Sequence, residues 1–117
     1  MLRTFCRCKI HQCTVTDAQV DYVGSMTIPK DLMEALDIRE GEQVSVANLN
    51  NGARWMTYAI PGGPGVFTLN GAAAHLGKRG DRLIIMVFAH YSEEDLKNYR
   101  IRIAFMDANN RVARLQE

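Results

Sequence analysis

The sequence predicts a mainly β domain closed as a small barrel. Three observations predict it. Short apolar runs with alternating spacing recur along the chain, divided by turn residues. Helical spacing is confined to a few short stretches. Asn50-Asn51-Gly52 is a strong hairpin signal between two alternating runs. At 117 residues the chain makes one domain, 1–117, with no linker, repeat or low-complexity segment. A chain of this size buries roughly two-thirds of the surface it exposes unfolded.

Residues 5–16 read as the first strand, with Phe5, Cys6, Ile10, Cys13 and Val15 among polar neighbours. Residues 17–22 form a short second element and 25–28 a third. Pro29 suits the first turn of a helix over about 30–37, whose Leu32, Met33 and Leu36 share one face. Residues 39–42 are a turn. Residues 44–47 alternate as a strand, and 54–60 read as its return across the hairpin. Pro61-Gly62-Gly63-Pro64-Gly65 reads as loop. Residues 66–69 read as strand. Asn70 is placed to N-cap a helix over Gly71–His75. Gly80-Asp81 turns into the apolar run 83–89, which reads as a buried strand. Ser92-Glu93-Glu94-Asp95 caps a short helix. Residues 101–106 and 112–115 flank Asn109-Asn110 as a final hairpin. Periodicity does not give the order of these strands.

Fourteen Lys plus Arg stand against thirteen Asp plus Glu. That balance argues against a nonspecific nucleic-acid or membrane coat. The opening MLRTFCRCKIHQ has no apolar run, so no secretory leader is expected. No stretch approaches the roughly eighteen apolar residues of a membrane helix. A cytoplasmic protein with neither nucleic acid nor membrane as partner is expected.

Cys6, Cys8 and Cys13 cluster with His11. On a regular strand Cys6 and Cys8 share one face and His11 and Cys13 the other. The four would not converge on one ion, and the spacing does not suit zinc, so no metal is expected. The odd cysteine count argues against a disulfide framework.

Gly24-Ser25 is the bond with the most chemistry in it. In a tight turn Ser25 Oγ can attack the Gly24 carbonyl and turn the amide into an ester. Elimination then cuts the chain, and hydrolysis of the new N-terminus leaves a pyruvoyl group. Gly24 can adopt backbone angles closed to other residues, so it can hold a strained turn. Arg54 offers a fork for a carboxylate, and Lys9 is a second cation. Thr57 and Tyr58 face opposite sides of a strand. A phenol stays protonated at neutral pH and can donate a proton. Small residues at Gly71, Ala72 and Ala73 let a backbone approach closely, and helix amides after Asn70 point donors at an anion. Ile84 can form an apolar wall. Each piece alone has an ordinary reading: a turn, solvated cations, a packed Thr-Tyr pair, a capped helix, a structural histidine at His11.

Lys9-Ile10-His11, Tyr22-x-Gly24-Ser25, Asn51-Gly52-x-Arg54, Thr57-Tyr58-Ala59-Ile60 and Asn70-Gly71-Ala72-Ala73-Ala74-His75 together resemble the pyruvoyl-dependent aspartate 1-decarboxylase family. The resemblance runs over about residues 1–115. It implies a six-stranded double-psi β-barrel, a homotetramer with sites between subunits, and L-aspartate as substrate. It implies autocatalytic cleavage between Gly24 and Ser25 into 1–24 and 25–117, with Ser25 becoming the pyruvoyl group that forms a Schiff base with substrate. It gives Thr57 the oxyanion of the cut and Tyr58 the proton donated to Cα. It gives Lys9 and Arg54 a substrate carboxylate. It places His11 near the site, and Asn70, Gly71, Ala72, Ala73 and Ile84 around the pyruvoyl pocket. The product, β-alanine, serves pantothenate biosynthesis. Whether the cut needs a maturation factor stays open. Gln12 and Ala47 depart from residues many or some members carry, arginine and tryptophan respectively, and bear on the pocket's fine shape.

Residues 23–46 also resemble swapped-hairpin transition-state-regulator DNA-binding domains, through Gly24, Thr27-Ile28-Pro29-Lys30, an amphipathic helix and an acidic Gly turn. Such a domain needs a basic face to neutralise phosphates. The near-neutral chain, Arg54, Thr57-Tyr58 and the Asn70 stretch are left unexplained by that alternative.

Overall fold

A computed structural model describes residues 1–117. Its strands are β1 (Arg3–Thr14), β2 (Asp17–Gln19), β3 (Ser25–Pro29), β4 (Gln43–Asn48), β5 (Arg54–Gly62), β6 (Thr68–Asn70), β7 (Arg82–Tyr91), β8 (Arg102–Met106) and β9 (Val112–Gln116). Two short helices, α1 (Lys30–Ala35) and α2 (Glu93–Leu96), and a 3₁₀ turn at Gly71–His75 complete it. The mainly β class is the one expected from the sequence. The strands lie in the order β2-β6-β3-β5-β4-β7-β1-β8-β9. Sequence neighbours are therefore often apart in the sheet, which local periodicity cannot encode. No helix is long and apolar enough to cross a membrane.

Most expected elements form. The β4–β5 hairpin turns at Gly52, which sits at φ 76°. Helix α1 buries Leu32 and Met33, Leu36 is buried at its C-cap, and Asp37 follows at φ 55°. Ser92 and Asp95 make the reciprocal capping box at α2, with Ser92 N donating to Asp95 Oδ2 at 3.0 Å and Asp95 N to Ser92 Oγ at 3.1 Å.

Four local readings are corrected. Pro61 and Gly62 are not loop but continue β5, paired with Ile28 and Pro29 of β3. Pairing there overrides local turn chemistry. The expected strand at 66–69 is shifted to Thr68–Asn70, with Phe67 fully buried just before it. Asn70 caps nothing, because its side chain is bonded elsewhere. The run 83–89 is buried on one face only: Leu83, Ile85 and Val87 are in the core, while Phe88 is 46% exposed.

The face assignment along β1 is corrected as well. The ladder with β7 slips at Arg7 and at Gln12, and Gln12 takes φ 64°. Each bulge adds one residue and flips the strand that follows. Cys8 and Cys13 consequently share the inner face and are fully buried. Cys6 pairs with Phe88 and His11 with Ile84, on the outer face. Arg82 fastens the second bulge, one Nη2 donating to Gln12 Oε1 at 2.8 Å and to Gln12 O at 3.3 Å. Burial pushes the Cys8 thiol up to about 11 and raises Cys13 further. No group of three or more His, Cys, Asp or Glu side chains is placed to hold a metal ion.

Candidate active site

Ser25 opens β3 opposite Asn70 of β6, and both are almost fully buried. The Asn70 carboxamide nitrogen donates to Ser25 Oγ at 3.0 Å and to Thr27 Oγ1 at 2.9 Å. One amide group therefore fixes the Ser25 hydroxyl oxygen and a second hydroxyl on the same strand. Because Oγ accepts from Asn70, its own proton is left for another acceptor. Thr27 had no signal in the sequence beyond the strand that carries it.

Gly24, the residue before Ser25, is exposed. Its backbone is not in the left-handed region, and a Cβ added there would meet no atom within 4 Å. The strained glycine expected at Gly24 is thus not found there. It is found at Gly71, at φ 69°. A Cβ on Gly71 would stand 2.8 Å from Gly24 Cα, 3.0 Å from Gly24 N and 3.1 Å from Tyr22 O. Ala73 is buried beneath this turn, while Ala72 is exposed beside it.

A second group lies on the outer face of the sheet. Cross-strand pairing sets Arg54, Ala47, Ile84, His11 and Phe105 in one row across five strands. His11 packs edge-on to Phe105, with centroids 5.5 Å apart, and the Arg114 guanidinium lies 4.1 Å over that ring. Lys9, Met86, Ser45 and Met56 form the next row. Arg54 and Lys9 take part in none of the four ion pairs of the chain. Two cations on this face therefore remain free for an anion.

Tyr58 belongs to the same outer face and is 39% exposed. Met26 of β3 pairs with Ala59 of β5. One residue earlier on each strand come Ser25 and Tyr58, so β5 connects the two groups. Thr57 points the other way, paired with the buried Val44. Its opposition to Tyr58 is as expected, and no hydrogen bond joins it to Gly24 or Ser25 within the chain.

One chain thus assembles Gly24, Ser25, Asn70 and Gly71 by direct contact. It gathers Lys9, His11, Arg54, Tyr58 and Ile84 on one face, and none of them hydrogen-bonds to Ser25 Oγ. A cavity of about 540 Å³ lies elsewhere, among Pro29, Asp31, Pro64, Gly65, Asn109 and Arg111. A smaller one of about 180 Å³ opens on the outer face between Gln43, Ser45, Met86 and Phe88.

Comparison with known proteins covers the same ground. The Aspartate decarboxylase family matches residues 1–113. An aspartate 1-decarboxylase of Syntrophomonas wolfei is 48% identical over 117 residues, covering 98% of this chain and 99% of that protein. One of a Geobacillus species is 48% identical over the same length, covering 98% of this chain and 92% of its own.

Proposed function

The chain belongs to the aspartate decarboxylase family, and from that premise we propose that it decarboxylates L-aspartate to β-alanine with a carbonyl made from its own Ser25. The observation that carries the proposal is the buried Ser25 hydroxyl, held by Asn70 beside an exposed glycine peptide. The β-alanine enters pantothenate biosynthesis. The DNA-binding reading of 23–46 is not favoured, since the family match runs straight through that segment.

In the self-processing step Ser25 Oγ bonds to the Gly24 carbonyl carbon and the Gly24–Ser25 amide bond breaks, leaving an ester and a free Ser25 amine. Thr57 stabilises the oxyanion formed on the way. Loss of the Ser25 α-proton then expels Gly24 as a carboxylate. The resulting enamine tautomerises and takes up water, releasing ammonia and leaving pyruvoyl at residue 25. Residues 1–24 stay in place through β1, which runs between β7 and β8.

The surroundings of Ser25 fit such a group. Asn70 supplies a donor at the site of the reacting oxygen, and the missing Cβ of Gly71 makes room beside it for the Gly24 backbone. The pyruvoyl group supplies an electron sink conjugated to the α-carbon of a bound amino acid. Arg54 and Lys9 hold a substrate carboxylate, the first as a bidentate fork. Ile84 walls the pocket. His11 stands beside Lys9 on β1, packed edge-on to Phe105. Tyr58 returns a proton to Cα after carbon dioxide leaves.

The site is completed between subunits of a homotetramer in this reading. Support comes from the outer face, where Met56 and Phe88 are 68% and 46% exposed beside Tyr58 and Ile84. A second chain laid there would cover them and supply what a single chain leaves apart. Aspartate-dependent release of β-alanine and carbon dioxide by the purified protein, absent in Ser25→Ala, is the expected result. Turnover by Ser25→Ala at the normal rate would refute the Ser25-derived carbonyl.

A further inference from the structure

Gly71 stands against the Gly24 backbone, next to the bond that is cut, and this inference rests on the processing reading above. We propose that Gly71 is a positioning residue for the cut. By lacking a Cβ it gives the Gly24 backbone its resting place, and so sets the Gly24 carbonyl relative to Ser25 Oγ.

The two sides of the scissile bond are held by two adjacent residues. Asn70 holds Ser25 through its side chain. Gly71 meets Gly24 and Tyr22 through backbone alone. Little else restrains the turn. Residues 20–24 are exposed, Val23 by 76%, and Tyr22 N donates to Gln19 O at a long 3.3 Å. The atoms that crowd a Cβ at Gly71 are main-chain atoms, so no rotamer change relieves the clash. The exposed turn gives way instead, while Asn70 keeps Ser25 in place. Carbonyl carbon and nucleophile then separate, and a displacement of about 1 Å costs a reaction on the order of a hundredfold.

Gly71 also has a left-handed backbone, which by itself disfavours alanine. Asparagine tolerates that conformation far better but still carries a Cβ. Gly80 is the control: φ 95° and nothing within 4 Å of an added Cβ. The experiment follows cleavage of freshly made wild type, Gly71→Ala, Gly71→Asn and Gly80→Ala by mass under denaturing conditions. Unfolding midpoints of the last three substitutions are read in an uncuttable Ser25→Ala background.

Wild type and Gly80→Ala are expected to cut at similar rates. Both Gly71 variants are expected to cut at least roughly tenfold more slowly, with midpoints near that of Gly80→Ala. Normal cutting by Gly71→Asn would overturn the inference, because dihedral strain alone would then explain the glycine. Slowing that only tracks the unfolded fraction would overturn it too. If Gly71→Ala does not fold, the Gly71→Asn rate decides. Wild type that never cuts refutes the processing reading and the inference together, a result distinct from wild type cutting while the Gly71 variants keep pace.

Discussion

Asn70 and Ser25 face each other across the β3–β6 ladder, and the Asn70 carboxamide donates to Ser25 Oγ at 3.0 Å. This bond orients the one hydroxyl whose attack the proposed chemistry needs. Asn70→Ala removes it and also leaves Thr27 Oγ1 without its donor. Losing one such bond at a buried nucleophile corresponds to roughly ten- to a hundredfold in rate. The cut at Gly24–Ser25 is expected to slow by that much, read as precursor remaining against time. Cutting at the wild-type rate would show that Asn70 does not orient the nucleophile.

Tyr58 and Arg54 share a strand and a face but are assigned different work. Tyr58→Phe keeps the ring and loses only the hydroxyl, which has no partner within the chain. It is expected to cut normally and to lose kcat by roughly a hundredfold or more, the scale of a positioned acid. Arg54→Ala is expected to cut normally and to raise KM for aspartate strongly. A Tyr58→Phe enzyme at full kcat would pass the proton to another group.

Asn110 ties the segment before the proposed cut to the rest of the protein. Its Oδ1 accepts from Thr14 N at 2.8 Å, and its Nδ2 donates to Thr14 O at 2.9 Å and Gly65 O at 3.0 Å. One side chain thus acts as a strand partner for Thr14. Asn110→Ala is expected to cost about 1–3 kcal/mol. The loss is expected to matter most after cutting, when residues 1–24 are held without a covalent link. Urea dissociation of the cut protein should then occur at a lower concentration than for wild type.

Acid is expected to weaken that same tie. Asp107 Oδ1 accepts from Asn109 N at 2.8 Å and Arg111 N at 3.0 Å, framing the turn that carries Asn110. The backbone N–H of Arg111, then that of Asn109, lower the Asp107 carboxyl below its ordinary 3.8. A carboxylate lowered in the folded state stabilises it above the ordinary value, and the contribution fades as pH falls through the folded one. The Asn110 and Arg111 amide signals should therefore shift in acid, below about pH 4. Asp107→Asn should abolish that titration and leave the turn formed.

The candidate site residues are legible in the sequence because each is a residue type that the proposed reaction requires: a serine after glycine, an arginine, a phenol. Their spatial grouping is not. Ser25 and Asn70 meet only because β3 pairs with β6, forty-five residues away, and no local period encodes that. The bulges at Arg7 and Gln12 add residues that periodicity counts as ordinary strand, so Cys8 falls opposite Cys6 and Cys13 opposite His11, where a regular strand would put each pair together. The sequence points to Gly24, where the cut is proposed, as the position that needs glycine, but the constraint lies on its neighbour in space, Gly71. Asn70 looked like a helix cap because the residues after it are small and helix-compatible; its carboxamide is instead taken by two hydroxyls.

The intact mass of the purified, denatured protein tests the central claim most directly. The account expects two pieces, residues 1–24 and 25–117, the larger blocked at its N-terminus by a carbonyl that borohydride reduces. A single chain of full mass after prolonged warming, or two pieces that meet anywhere but between Gly24 and Ser25, would contradict it.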